Sequence, residues 1–277
     1  MDTERQVARH YGREGLEQAI LAALLASGKD IDHLDPADLS GADEFHLGWR
    51  AQTIELAERL GLAPEHHVLD IGSGIGGPAR YFAAARGCRV TGIDLTPEFV
   101  AVANALTRRC GLADRVSFQE GSALALPSAV GAFDAATLIH VGMNIADKAQ
   151  LFAEARRVLK PGGRFCVYDV MRVDENGPQL PYPMPWAASA ETSFVETAAT
   201  YRRLLEAADF VIEAERDRRD FVLALGREMR EKAAIHGAPP LSLHIIMGPA
   251  TPERLRNVMG SLERGLIAPI EIIARAV

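Results

Sequence analysis

Cysteine is scarce in this chain of 277 residues, which has three in all. Cys88, Cys110 and Cys166 share no paired spacing, so neither a disulfide framework nor a cysteine-built zinc site fits them. Cys166 lies in an apolar run and reads as a small buried hydrophobe. Positive charge is not in excess either. The net charge is -7 and no basic stripe is available to neutralise a nucleic-acid backbone, which removes that class of partner. No apolar run reaches the length of a bilayer span, and no basic amphipathic helix suits a membrane surface. The first residues, Met1 to Arg5, lack the basic, apolar, small-residue order of an export signal, so the cytosol is the expected compartment. Repeats and low-complexity tracts are missing too. What is present, 48% hydrophobic and 24% charged residues, is enough to bury a sizeable core. The bias to arginine over lysine, with abundant alanine, is associated with GC-rich bacterial genomes.

One stretch organises the rest. Val68, Leu69, Asp70 and Ile71 form an apolar run broken by an acid, and Gly72-Ser73-Gly74-Ile75-Gly76-Gly77 follows. Pro78 to Phe82 then resumes a helix-compatible pattern. Strand, glycine turn and helix N-terminus is the arrangement with which α/β proteins hold anionic or dipolar ligands. Gly72, Gly74 and Gly77 satisfy a dinucleotide fingerprint, with Asp94 about twenty residues on as a ribose-binding acid. A nicotinamide-dependent oxidoreductase is therefore one reading. Asp70 argues for another, because a carboxylate at that place repels a pyrophosphate and suits a cationic amino-acid group. Asp70-x-Gly72-x-Gly74-x-Gly76 resembles motif I of the class I S-adenosylmethionine-dependent methyltransferases.

That resemblance covers about residues 65 to 170. It implies an α/β, Rossmann-like fold: a seven-stranded, mostly parallel sheet with helices on both faces and an antiparallel last strand. It implies S-adenosylmethionine as cofactor, with Asp70, Gly72, Ser73, Gly74 and Gly76 around its methionine end and Asp94 on its ribose. Leu95 would flank the adenine. In Gly121-Ser122-Ala123-Leu124 the family usually has an aspartate where Ser122 stands, so Ser122 and Ala123 would contact the adenine without a charge. Tyr11, from a segment that folds over the cofactor in small-molecule enzymes of this kind, is a further cofactor contact. The run from His140 to Lys148 resembles a stretch in sarcosine and dimethylglycine methyltransferases. His140, at the end of the fourth strand, is the expected general base.

Around this centre we expect a helical lid over 1–60 and a methyltransferase domain over 61–277. Within the latter lie a proline- and aromatic-rich flap at 171–197 and a helical cap at 217–265. Tyr182, Trp186 and Phe194 of the flap, with Leu243, Ile245, Ile246 and Met247 of the late insertion, would wall an apolar pocket for the acceptor, and His244 of the cap is a further acceptor contact. His236 is a second cap histidine, and Phe45, His46 and Trp49 border the site. The fifth strand is expected over Phe165 to Val170. Asp169 ends it with no accompanying oxygen ligands, so no metal is expected. The acceptor is read as a small, partly apolar metabolite methylated on oxygen, nitrogen or carbon. A homodimer is compatible with the sequence. A different class of function, cofactor binding without transfer or a scaffold for a spontaneous cyclisation, uses the same motifs.

Overall fold

The computed structural model describes residues 3–237 and 239–277, and the side chain of His236 lies outside the described part. Seven strands form one sheet in the order β3-β2-β1-β4-β5-β7-β6. They are β1 (His67–Ile71), β2 (Arg89–Asp94), β3 (Val116–Glu120), β4 (Phe133–Ile139), β5 (Leu159–Arg172), β6 (Phe210–Asp217) and β7 (Ile267–Ala276). The first five pair in parallel. β7 runs antiparallel between β5 and β6, as expected. Strands β1 and β4 are buried along nearly their whole length because helices cover both faces of the sheet. The chain leaves β1 toward β2 and β3, then returns to β4 on the other side. This reversal opens a crevice at the carboxyl ends of β1 and β4.

The helices divide into body and cover. α1 (Thr3–Tyr11), α2 (Leu16–Ala26) and the short α3 (Ser40–Asp43) precede α4 (Trp49–Arg59). α4 is sewn into the body: Leu56 and Ala57 are fully buried against β1 and the helix α5 (Gly77–Arg86). Gln52 and Arg59 of α4 also bond the buried carboxylate of Glu271 on β7. α6 (Pro97–Arg109), α7 (Lys148–Val158) and α8 (Ala198–Ala207) complete the layers. α9 (Arg219–His236), α10 (His244–Met247) and α11 (Thr251–Glu263) form the late insertion. One apolar cluster joins α2 and α6 to Leu241, Ile245 and Ile246 of that insertion. Another joins the flap residues Leu180, Met184 and Trp186 to Val222 and Val258. Both additions thereby pack above the crevice.

The fifth strand is longer than the sequence suggests. Leu159 already pairs with Phe133, and the ladder resumes at Ala135 with Arg164 across a register shift. Gly162, at φ 78, carries that irregularity within the strand. No helix among the described residues is long and apolar enough to cross a membrane.

Candidate active site

The glycine loop leaves β1 and turns back on β2. Gly72 N–H and Ser73 N–H both donate to Ile93 O, at 2.7 and 3.0 Å, and Gly74 N–H donates to Asp94 Oδ2 at 2.8 Å. These amides are committed to the neighbouring strand end, so they are not a cradle for a pyrophosphate. Gly72 has φ 71, and a Cβ there would lie 2.3 Å from Val141 Cγ2. Only glycine lets the loop pass under the end of β4. Gly74 has φ 54 with open space around its missing side chain. Arg80, fully buried on α5, donates to Ile75 O at 2.7 Å and pairs with Asp43 at 2.8 Å, which braces the loop from below.

Asp70 is buried at the end of β1. Thr137 donates to one of its oxygens at 2.7 Å, and the other has no partner. Burial pushes its pKa up to about 7 against the opposing Thr137 bond. Asp94 is also raised by burial, although it accepts from Gly74 and from Thr96 N–H at 2.9 Å. Two buried carboxyls with spare lone pairs, and no lysine or arginine among the described residues that line the cavity, fit a ligand that brings an ammonium and a pair of hydroxyls. The orphaned Asp70 oxygen, the unpartnered Ser73 hydroxyl and the open space at Gly74 are the observations that make the fit to S-adenosylmethionine.

A cavity of about 440 Å³ runs from this end to the underside of the flap and cap. Asp70, Gly72, Ser73, Gly74, Asp94, Leu95, Ala123, Tyr11, His140 and Trp186, all singled out in the sequence, line it together. Others lie outside the lining. Gly76 is the N-cap of α5 at φ 88, packed against Phe118 and Arg80. Ser122 bonds the Glu4 carboxylate and the Leu124 amide. Tyr182 packs in the flap cluster. Phe194 holds its place by its backbone, donating to Met143 O at 2.7 Å and accepting from Lys148 Nζ. His244 is paired with Ser242 Oγ at 2.6 Å on the surface of the cap, and Met247 is buried behind the wall. Of the residues named for the pocket wall, Leu243 and Ile246 line the cavity with Trp186, and Leu255 and Val258 join them.

The cover closes over this space through one residue the sequence did not mark. Asn144 accepts from the Tyr11 hydroxyl at 2.9 Å and donates to Trp186 O at 2.8 Å and Thr192 O at 3.3 Å. His10 adds a contact to Pro185 O at 3.1 Å. Phe99 and Asp43 also line the cavity unforeseen. Phe99 lies in the first turn of α6, the helix that follows Asp94, and packs on the Tyr11 ring, 5.9 Å between centroids. A sequence signal existed only for Phe99, an aromatic one turn into the helix that follows the ribose acid.

Residues 69–167 match the family described as "Methyltransferase domain". "Methyltransferase GfsG" from Streptomyces halstedii is 37% identical over 134 residues, which covers 48% of this chain and 48% of that protein. The chain spans less than two thirds of the length of the first curated relatives it matches. Among solved structures, the [4+2]-cyclase SpnF matches with a TM-score of 0.70 and 25% identity, covering 99% of this chain and 96% of that one. The geranyl diphosphate C-methyltransferase of Streptomyces coelicolor A3(2) matches with a TM-score of 0.71 at 22% identity, over 100% and 98% of the two chains. The class I methyltransferase fold read from motif I is the fold of this chain.

Proposed function

We propose that this chain, whose residues 69–167 match the methyltransferase-domain family, carries out S-adenosylmethionine-dependent methyl transfer to a small, neutral, largely apolar metabolite. One observation carries this reading. A single cavity joins an acidic, strand-end half to a half walled by Leu47, Met143, Val170, Trp186, Leu243, Ile246, Leu255 and Val258. No lysine or arginine is among the described residues lining either half. An anionic acceptor such as a carboxylate or a diphosphate would be buried there without a counter-charge, which is costly. The wall therefore favours an uncharged acceptor on oxygen, nitrogen or carbon.

S-adenosylmethionine, when bound, supplies a methyl group on a sulfonium centre that an aligned lone pair displaces in line. Asp70 would take its ammonium and Asp94 its ribose hydroxyls in charge-assisted bonds. Leu95 and Ala123 would flank its base, with Tyr11 above. Segments 1–60, 171–197 and 217–265 act as the covers that keep water out. His140, with His46 and Asn144, is among the polar side chains that line the cavity.

Titration calorimetry tests the cofactor. S-adenosylhomocysteine is expected to bind, and Asp94→Ala to weaken it at least a hundredfold, because two charge-assisted bonds and the ordered loop are lost together. Tighter binding of NADH than of S-adenosylhomocysteine overturns the reading. The likeness to SpnF over nearly the whole chain favours one second reading, a cyclase that keeps the fold without transferring a methyl group. Methyl-labelled S-adenosylmethionine incubated with cell extract separates the two: label in a small organic product supports transfer.

A further inference from the structure

His140 sits where β4 ends, at φ 54, a left-handed conformation that a histidine adopts at a cost of roughly 1 kcal/mol or more. Its backbone is held there by a bond from its N–H to Tyr168 O at 2.8 Å. The ring stacks on Tyr168, with centroids 5.1 Å apart, and lines the cavity. Its Nδ1 accepts from the N–H of Leu47 at 3.4 Å. That peptide has little freedom to turn, because its carbonyl, His46 O, accepts from the Trp49 N–H at 3.3 Å, and the next carbonyl, Leu47 O, accepts from the Tyr168 hydroxyl at 2.8 Å. His140 Nε2 is fully buried with no partner in the protein.

A neutral imidazole carries one proton, on whichever nitrogen is not accepting. The Leu47 amide occupies the Nδ1 lone pair, so the proton belongs on Nε2. The surroundings also disfavour a second proton. Burial holds the pKa of His140 well below the ordinary histidine value, and His46 lowers it further. Both nitrogens of His46 lie against oxygens, Leu47 O at 3.3 Å on one side and the Glu44 carboxylate at 2.9 Å on the other. Its ring lies edge-on to His140 at 5.9 Å. His46, Glu44 behind it and Tyr168 are the titratable neighbours that face the ring.

We infer that His140 is a hydrogen-bond donor to the acceptor molecule and not the base that deprotonates it: its Nε2–H grips an oxygen of the substrate, a carbonyl or ether oxygen of a neutral molecule. The inference rests on the methyltransferase reading and gives it a substrate class. In an apolar pocket, one fixed N–H discriminates strongly between a ligand that carries a matching acceptor atom and one that does not. To serve as a base through Nε2, the ring would need its proton on Nδ1, pressed against the Leu47 amide hydrogen.

The full chain, labelled with 15N-histidine and saturated with S-adenosylhomocysteine, tests this by long-range 1H–15N correlation. The resonance lost in His140→Gln is expected to show a protonated Nε2 and a bare Nδ1 throughout the range from about pH 6 to 8. A protonated Nδ1 with a bare Nε2, or an imidazolium near neutral pH, overturns the inference. A second measurement uses acetophenone and ethylbenzene as probes, a ketone and its deoxygenated counterpart. The ketone is expected to bind the saturated chain roughly three- to tenfold more tightly. Gln keeps an N–H near the Nε2 position, so His140→Gln should retain the preference and His140→Phe should erase it. An unchanged preference in the phenylalanine variant overturns the inference. Failure of S-adenosylhomocysteine to bind sinks the methyltransferase reading instead, and the tautomer is then still read on the free chain.

Discussion

At the acidic end of the cavity the wall is mostly backbone. Gly72, Ser73 and Gly74 are tied to the end of β2, and Asp70 and Asp94 project from strand ends that the sheet ladder fixes. At the far end the wall is side chain. Leu243 and Ile246 come from the insertion, Leu255 and Val258 from α11, and Trp186 from the flap. Strand ends and glycine turns tolerate almost no change, because a misplaced Cβ meets the neighbouring strand. An apolar wall built by insertions tolerates any set of residues of similar volume. On the proposed reading, one protein holds an unvarying cofactor end and an adjustable acceptor end in the same space, and the difference lies in what each is made of.

Gly72→Ala is the hardest blow to the rigid half. Its Cβ would meet Val141 Cγ2 at 2.3 Å and require φ 71 of an alanine. Strain and overpacking together should cost about 2 to 5 kcal/mol of stability by urea unfolding and abolish S-adenosylhomocysteine binding. Gly74→Ala is the paired control. Its surroundings are open, so the stability loss should stay near 1 kcal/mol while binding still suffers, because the new methyl enters ligand space.

Asp70 makes the rigid half sensitive to pH. Its pKa is near 7 in the folded chain against an ordinary 3.8, so between these values the folded state holds a proton that the unfolded state has released. Stability must fall as pH rises through that window and level off above it. Asp43 and Asp169, both raised to about 6 chiefly by burial, push the same way. Asp70→Asn should remove the largest share of the slope, a few kcal/mol at most, in unfolding curves taken across that range. Binding of S-adenosylhomocysteine, whose ammonium wants the ionised carboxylate, should strengthen as pH rises toward 7 in the parent chain and stay flat in the variant.

The smallest effect belongs to the adjustable half. Trp186→Phe removes the indole N–H that donates to Ser193 Oγ at 2.9 Å and part of the wall. About 1 to 2 kcal/mol of stability should go, with affinity for S-adenosylhomocysteine within roughly threefold of the parent. A tenfold or larger loss would show that the two halves are not separable.

The same division explains what could be read in advance. Motif I placed β1, the glycine turn and α5 because a strand–turn–helix with an acid two positions before the first glycine has few other uses. Asp94 and Ala123 followed from strand ends at known spacing. The flap and cap were recognisable as insertions, but which of their residues faces inward depends on packing between segments far apart in the chain. Tyr182, Phe194, His244 and Met247 were chosen by residue type, whereas Leu255 and Val258 turn inward on one face of α11. Asn144 lies in the marked run from His140 to Lys148, but nothing in that run singles it out. Its partners, Tyr11, Trp186 and Thr192, are brought to it only by the folded chain.

The amide of Asn144 is a rotor with two unlike ends. The Tyr11 hydroxyl fixes its oxygen on one side, and the nitrogen is thereby aimed at the flap carbonyls of Trp186 and Thr192. Withdrawal of α1 frees the rotor to turn, and a turned amide would present oxygen to oxygen at the flap. The two covers therefore engage as a logical conjunction, each holding well only while the other is shut. Since all three bonds join uncharged groups, salt should barely move this latch. On the proposed reading, a molecule that leaves past these covers breaks all three bonds, which gives the pace of turnover a place to be set far from the reacting atoms.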